Sequence, residues 1–268
     1  MISWNRAMRS SGAALITAAL AWGTAGCGSS DEGGSGGAGG SAGGGSAGGD
    51  GGAAPAHEWD ALIRGKLATS DLEKAQSEHD PLAKGGQKGA QALGDFAHFA
   101  MLGTTLLGTQ KDTFVAFDRW HEDDMDKLYD DPNFQKGLAP LFSGRPTLER
   151  FERQEAWEHW GDVDSGRSDG SFWFVVIRGT LKDPKTAQAT HDAAAKAGKD
   201  TANQLGDVAH RIYLGRDDAK ETLIIDVWVA SDKLEDFYAD PNLQKGFAAL
   251  FAAPPTLGVY RSTHWHQW

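Results

Sequence analysis

The chain has 268 residues, a formal net charge of -11, 24% charged residues, 35 glycines and one cysteine. A single cysteine excludes a disulfide framework and any zinc or iron–sulfur site built on several thiolates. The acidic balance lacks the basic stripe that phosphate binding requires, so no nucleic-acid partner is expected.

Arg6 and Arg9 precede an apolar run from Ala13 through Leu15, Ile16 and Leu20 to Trp22. That run is too short to cross roughly 30 Å of hydrocarbon as a helix and suits the core of a secretory signal over residues 1–26. Thr24, Ala25 and Gly26 lead directly into Cys27. This stretch resembles a bacterial lipobox, with Thr24 where leucine is usual. The resemblance implies a diacylated Cys27, a membrane partner through that lipid, and a place in the cell envelope. Gly28 after the cysteine, by the same resemblance, implies the outer membrane. Fourteen of the 35 glycines fall between Gly28 and Gly52. Residues 27–56 can therefore bury little apolar surface and read as a flexible tether with a mean reach of about 30 Å.

The rest of the chain is written twice. Shifted by 112, Gln76–Gly103 lies over Gln188–Gly215 with 14 of 28 positions identical; shifted by 109, Asp131–Leu148 lies over Asp240–Leu257 with 12 of 18 identical. Asp118-x-Trp120 matches Asp226-x-Trp228, Arg64-Gly65 matches Arg178-Gly179, and Trp157 and Trp160 match Trp265 and Trp268. Such self-similarity marks a duplicated folding unit, here 57–160 and 161–268.

Within a copy the order is legible. Phe172–Arg178 is a β-branched and aromatic run, hence a buried strand, with a weaker counterpart near Trp59–Arg64. Pro184–Leu205 reads as a helix, with proline at its start and Gly206 past its end. Val208–Leu214 and Glu221–Val229 read as strands joined by a polar turn. Ser231-Asp232 is the expected cap of a second helix reaching Phe251 and broken at Asp240-Pro241. A last strand is expected over Leu257–Trp265. This is the α+β order β-α-β-β-α-β of the ferredoxin-like unit. A sheet with both helices on one face leaves the other face bare, so the two sheets are expected to pack face to face as a pseudo-dimer within one chain.

That order, Asp226-x-Trp228, and the helix carrying Phe237-Tyr238-Ala239-Asp240-Pro241 resemble the dimeric α+β barrel superfamily, in particular antibiotic-biosynthesis-monooxygenase-like domains in tandem. The resemblance implies an intramolecular barrel of two ferredoxin-like repeats. It includes cofactor-independent oxygenases of aromatic substrates, haem-degrading enzymes and many members without known activity. The helix positions that carry histidines in many of these relatives hold Phe237 and Asn242 here.

Hairpin arithmetic selects the candidate site. With the second hairpin centred near Asp218, His210 faces Asp226, and the same counting sets His98 opposite Asp118. Opposed residues project to one face with Cβ atoms about 4.5–5.5 Å apart. Val208, Ile212 and Leu214 are expected beside His210, with Trp120 and Trp228 walling a pocket two residues along. A His–Asp pair beside an indole can hold one tautomer and take a proton from a phenol or enol. It can equally be a satisfied buried polar pair. His79-Asp80 and His191-Asp192 point apart on a helix and read as surface residues or caps to a loop. His264 and His266 have a chelating i, i+2 spacing, but their counterparts are Ala156 and Glu158, so no metal and no cofactor is expected. Trp157, Trp160, Trp265 and Trp268 read as seals between the sheets or as an aromatic pocket wall. The expected function is a small-molecule-binding or structural envelope lipoprotein with a small aromatic ligand. The alternative is a cofactor-independent monooxygenase-like enzyme, distinguished by a cavity between the sheets reaching His98 and His210.

Overall fold

The computed structural model describes residues 58–121, 124–166 and 171–268, so the signal, Cys27 and the glycine-rich tract lie outside the described residues. The first half runs β1 (Trp59–Lys66), α1 (Leu72–Ala92), β2 (Asp95–Gly103), β3 (Thr113–Trp120), α2 (Met125–Tyr129), α3 (Pro132–Leu138) and β4 (Thr147–Arg153). The second runs β5 (Trp173–Thr180), α4 (Pro184–Leu205), β6 (Asp207–Gly215), β7 (Glu221–Trp228), α5 (Leu234–Tyr238), α6 (Pro241–Leu250) and β8 (Thr256–Ser262). No described helix is long and apolar enough to cross a membrane.

Local chemistry explains most boundaries. Asp183 caps α4 by accepting from the Lys185 N–H, Pro184 occupies the first turn, and Gly206 ends the helix at φ 108, where a side chain would be strained. Asp131 and Asp240 cap α3 and α6 in the same way, each followed by proline. The cap expected at Ser231-Asp232 does not form; α5 starts after Lys233 without a side-chain cap. β8 ends at Ser262, short of Trp265, so His264 and His266 never share a strand face.

The eight strands close a barrel in the order β1-β3-β2-β8-β5-β7-β6-β4, with every pair antiparallel. The closed barrel is as the resemblance implies; the two halves do not remain separate stacked sheets. The edges β2–β8 and β6–β4 hydrogen-bond instead, which satisfies backbone groups that an open edge would leave unpaired. The interior is filled by Leu62, Ala97, Phe99, Met101, Val115, Phe117, Phe174, Tyr213, Ile225 and their neighbours.

One end of this interior is charged. Arg119, 2% exposed, lies 2.7 Å from both Glu58 and Asp164 and 3.4 Å from the fully buried Asp60. Burial pushes the Asp60 carboxyl up to about 7, partly offset by Arg119 and Arg153.

Alternation along the strands decides where the histidines go. On β2 and β3 the odd positions Ala97, Phe99, Val115 and Phe117 point inward, so His98 and Asp118 lie outside the wall, beneath α1. A register shift between Asp207 and Ala209 turns Val208 out to solvent, removing it from the face it was expected to share with His210.

The repeated Arg-Gly pairs have a packing reason. A Cβ on Gly65 would strike the ring of Phe142, and one on Gly179 would come within 2.6 Å of Phe251. Each glycine lets an aromatic ring rest against the strand backbone.

Candidate functional site

The strand register sets His98 opposite Asp118 and His210 opposite Asp226, as the hairpin arithmetic predicts. In the first half, Nδ1 of His98 makes a short hydrogen bond with Oδ1 of Asp118, and the Tyr129 O–H on α2 donates to Oδ2 at 2.5 Å. On the other side of the ring, His98 Nε2 lies 3.2 Å from Nε2 of His79 on α1, whose Nδ1 is 3.1 Å from Oδ1 of Asp80. The run is therefore Asp80–His79–His98–Asp118–Tyr129.

The second half repeats it. His210 Nδ1 lies 2.5 Å from Oδ1 of Asp226, Tyr238 donates to Oδ2 at 2.5 Å, and His210 Nε2 is 3.0 Å from Nε2 of His191. His191 Nδ1 is 3.1 Å from Oδ1 of Asp192. His79 and His191 are each 4% exposed, so neither is the surface residue their helix positions suggested. The capping role belongs to the aspartates: Asp80 accepts the His266 N–H at 2.8 Å and Asp192 the Glu158 N–H at 2.7 Å.

Each half-site is completed by the other half of the chain. Trp268 stacks on His98 with ring centroids 4.5 Å apart, and Trp160 stacks on His210 at 4.4 Å. Trp265 leans on His79 and Trp157 on His191. The exchange follows from barrel closure: β8 pairs with β2 and β4 with β6, so the segment after each strand is delivered over the opposite half. These four indoles therefore cover the helix side of the wall and do not seal a gap between sheets.

A proton count constrains the run. Three hydrogen bonds in series between two carboxylates need three protons, and two neutral imidazoles supply two. Burial and the neighbouring His98 push His79 down to about 4, and burial and His210 do the same to His191. Nearby, burial and the charge of Asp118 raise Asp95 to about 9; burial and Asp226 raise Asp207 likewise. Both effects hold those two carboxyls toward the protonated form, which can donate. Burial, then the adjoining carboxylates, push Tyr129 and Tyr238 well above the ordinary phenol range, so both remain donors.

A small apolar cavity of about 50 Å³ opens beside His79, His98, Asp95 and Asp118 under Ala83, Gly86 and Leu138. Its counterpart of about 70 Å³ adjoins His191, His210, Asp207 and Asp226. Both lie between barrel wall and helices, not between the sheets as expected. Trp120 and Trp228, the expected pocket walls, are fully buried elsewhere; they pack edge-on against Tyr129 and Tyr238 at 5.7 and 6.0 Å. Trp268 and Trp160 line the cavities in their place. His79 and His191, which helix geometry set aside, and Asp95, Tyr129 and their counterparts, which no spacing rule singled out, are all identical in the two copies, and that identity was the available signal. His264 is exposed, and His266 instead meets Gln87 at 3.0 Å.

No family model and no curated protein sequence matches the chain. Among solved structures, it is similar to a Fusobacterium nucleatum protein provisionally named a monooxygenase, with a TM-score of 0.55, 9% identity, and coverage of 79% of this chain and 94% of that one. It is similar to an anthrone oxidase-like protein, with a TM-score of 0.53, 15% identity, and coverage of 80% and 93%. A Lactobacillus acidophilus protein, also provisionally named a monooxygenase, has a TM-score of 0.52, 10% identity, and coverage of 78% and 97%. The likeness is one of fold, a mixed α+β architecture; in this chain the eight strands close an antiparallel barrel.

Proposed function

We propose that the chain is a monooxygenase-like enzyme that works without a cofactor on an aromatic or enolisable small molecule, with His98–Asp118 and His210–Asp226 as its proton-accepting groups. The observation that carries this reading is the duplicated His–Asp pair adjoining an apolar cavity, with a second neutral imidazole behind each. Asp118 holds the Nδ1 proton of His98, so an accepted proton is shared between the two Nε2 atoms and fills the vacant place in the run. Neutral Asp95 donates to the oxyanion that develops on the substrate. For a substrate of the anthrone kind, the ring methylene loses both hydrogens. They leave with one oxygen atom of dioxygen as water, and the other oxygen becomes the new carbonyl.

The test is oxygen uptake with a panel of anthrones, quinols and phenols. The His98→Gln/His210→Gln double variant should lose roughly 100-fold or more in turnover. Unchanged turnover would dismiss both pairs as catalysts.

A second reading, a small-molecule-binding or structural protein of the envelope, is favoured by the barrel interior, which side chains fill, and by the small size of the cavities, about 50 and 70 Å³. Wild-type protein inert toward the whole panel would support it.

Both readings share one setting. The folded part is two tandem ferredoxin-like repeats, 57–160 and 161–268, acting as a pseudo-dimer. It is tethered through residues 28–56 to a lipid on Cys27 at the outer membrane of a bacterial envelope. Metabolic labelling with palmitate, abolished in Cys27→Ala, checks the anchor.

A further inference from the structure

We propose that each facing histidine pair, His79–His98 and His191–His210, is a two-coordinate site for a soft monovalent cation, Cu(I) or Ag(I). The geometry of the paired rings points there. The two Nε2 atoms face each other at 3.2 Å in one half and 3.0 Å in the other, with a carboxylate behind every ring: Asp80 and Asp118, Asp192 and Asp226. When each Nδ1–H donates to its carboxylate, both Nε2 atoms present lone pairs to the same point. This is the outer-sphere arrangement that fixes the tautomer and raises the basicity of metal-binding imidazoles. A bare pair of opposed lone pairs is repulsive, and a cation between them removes that repulsion.

Ligand number selects the metal. Among the described residues, no group of three or more His, Cys, Asp or Glu side chains is placed to hold an ion. Zn(II) asks for three or four ligands, and other divalent ions for at least as many. A filled-shell monovalent ion such as Cu(I) or Ag(I) is content with two ligands in line, and imidazole suits copper.

Charge and space agree. The vacant place in the run has the charge of one proton, so a monovalent cation restores the balance that a divalent one would exceed. Two metal–nitrogen bonds of roughly 2 Å need the nitrogens about 4 Å apart. The rings must therefore part by about an ångström or less, and the cavity beside each pair gives the helix-borne ring room to move. Trp268 and Trp265 over one pair, and Trp160 and Trp157 over the other, keep water from competing as a ligand.

This inference is independent of the oxygenase reading, because it is tested by binding and not by turnover. A bound cation would occupy the lone pairs that take the substrate proton, so the loaded chain should be catalytically silent. The experiment is anaerobic titration of the full-length protein with Cu(I) against bicinchoninate, repeated with Ag(I) by calorimetry. The expected result is two tightly held ions per chain, one in His79→Gln and none at these sites in His79→Gln/His191→Gln. X-ray absorption of the loaded wild type should show two nitrogen scatterers at roughly 2 Å. That measurement needs no variant, so it decides the matter even if the glutamine variants misfold. Failure to take up either ion, uptake unchanged in a folded double variant, or a sulfur atom in the first shell would overturn the proposal.

Discussion

Trp268 lies flat on His98, with ring planes 23° apart and the Trp268 backbone carbonyl accepting the His98 N–H at 2.9 Å, although the two residues belong to opposite halves of the barrel. Trp160 stands in the same relation to His210, again with its carbonyl accepting the histidine N–H, at 3.0 Å. Neither half-site is complete without a segment of the other, so changes in the crossing segments should register at the imidazoles.

Trp268→Ala removes a stacked, partly buried ring. Unfolding in urea should show a loss of about 1–3 kcal/mol. The same variant should speed carbethoxylation of His98 relative to His210, and Trp160→Ala should reverse that preference. Equal reactivity of both histidines in both variants would contradict the crossed arrangement.

Asp118 accepts two donors, the His98 ring and the Tyr129 hydroxyl. Asn at that position has one acceptor oxygen and turns an N–H₂ toward the second donor. Asp118→Asn should therefore cost on the order of 1–3 kcal/mol for the donor left unsatisfied. Tyr129→Phe, which removes the other donor, should recover part of that loss in the double variant. Strict additivity of the two changes would argue against the shared carboxylate.

The buried acids and bases pull stability in opposite directions with pH. His79 and His191 titrate near 4 in the folded chain against 6.5 unfolded, so keeping them uncharged becomes costly only as pH falls from 6.5 toward 4. Asp95 and Asp207 titrate near 9 against 3.8, so the folded state binds more protons and loses stability as pH rises from about 4 toward 9. Asp60, near 7, adds to that loss only below 7. Above pH 7 only the first two carboxyls remain, and stability should fall by up to ~1.4 kcal/mol per pH unit for each. Urea midpoints at pH 7 and pH 9 measure it, and Asp95→Asn/Asp207→Asn should flatten the slope.

Gly65→Ala and Gly179→Ala place a methyl against the rings of Phe142 and Phe251. Each should cost about 1–3 kcal/mol by overpacking, read from thermal unfolding. Pairing Gly65→Ala with Phe142→Leu should restore part of that loss.

The amino-acid sequence alone determined the α and β segments, their doubling, and the facing of His98 on Asp118 and His210 on Asp226. These follow from short-range rules: period-two alternation, proline and aspartate at helix starts, and the fixed pairing of a hairpin. Three things needed the folded chain. The bulge that ejects Val208, where Asp207 accepts the Ala209 N–H as Asp95 accepts that of Ala97, and the early end of β8 emerge only in the folded chain. The side of the wall on which the imidazoles lie depends on which face curls inward when the barrel closes, and alternation by itself does not say. The meeting of His79 with His98, and of Trp268 with both halves, comes from helix docking and from edge strands pairing across copies. Such contacts form because unpaired edges and buried polar rings must find partners, and nothing in local spacing names those partners.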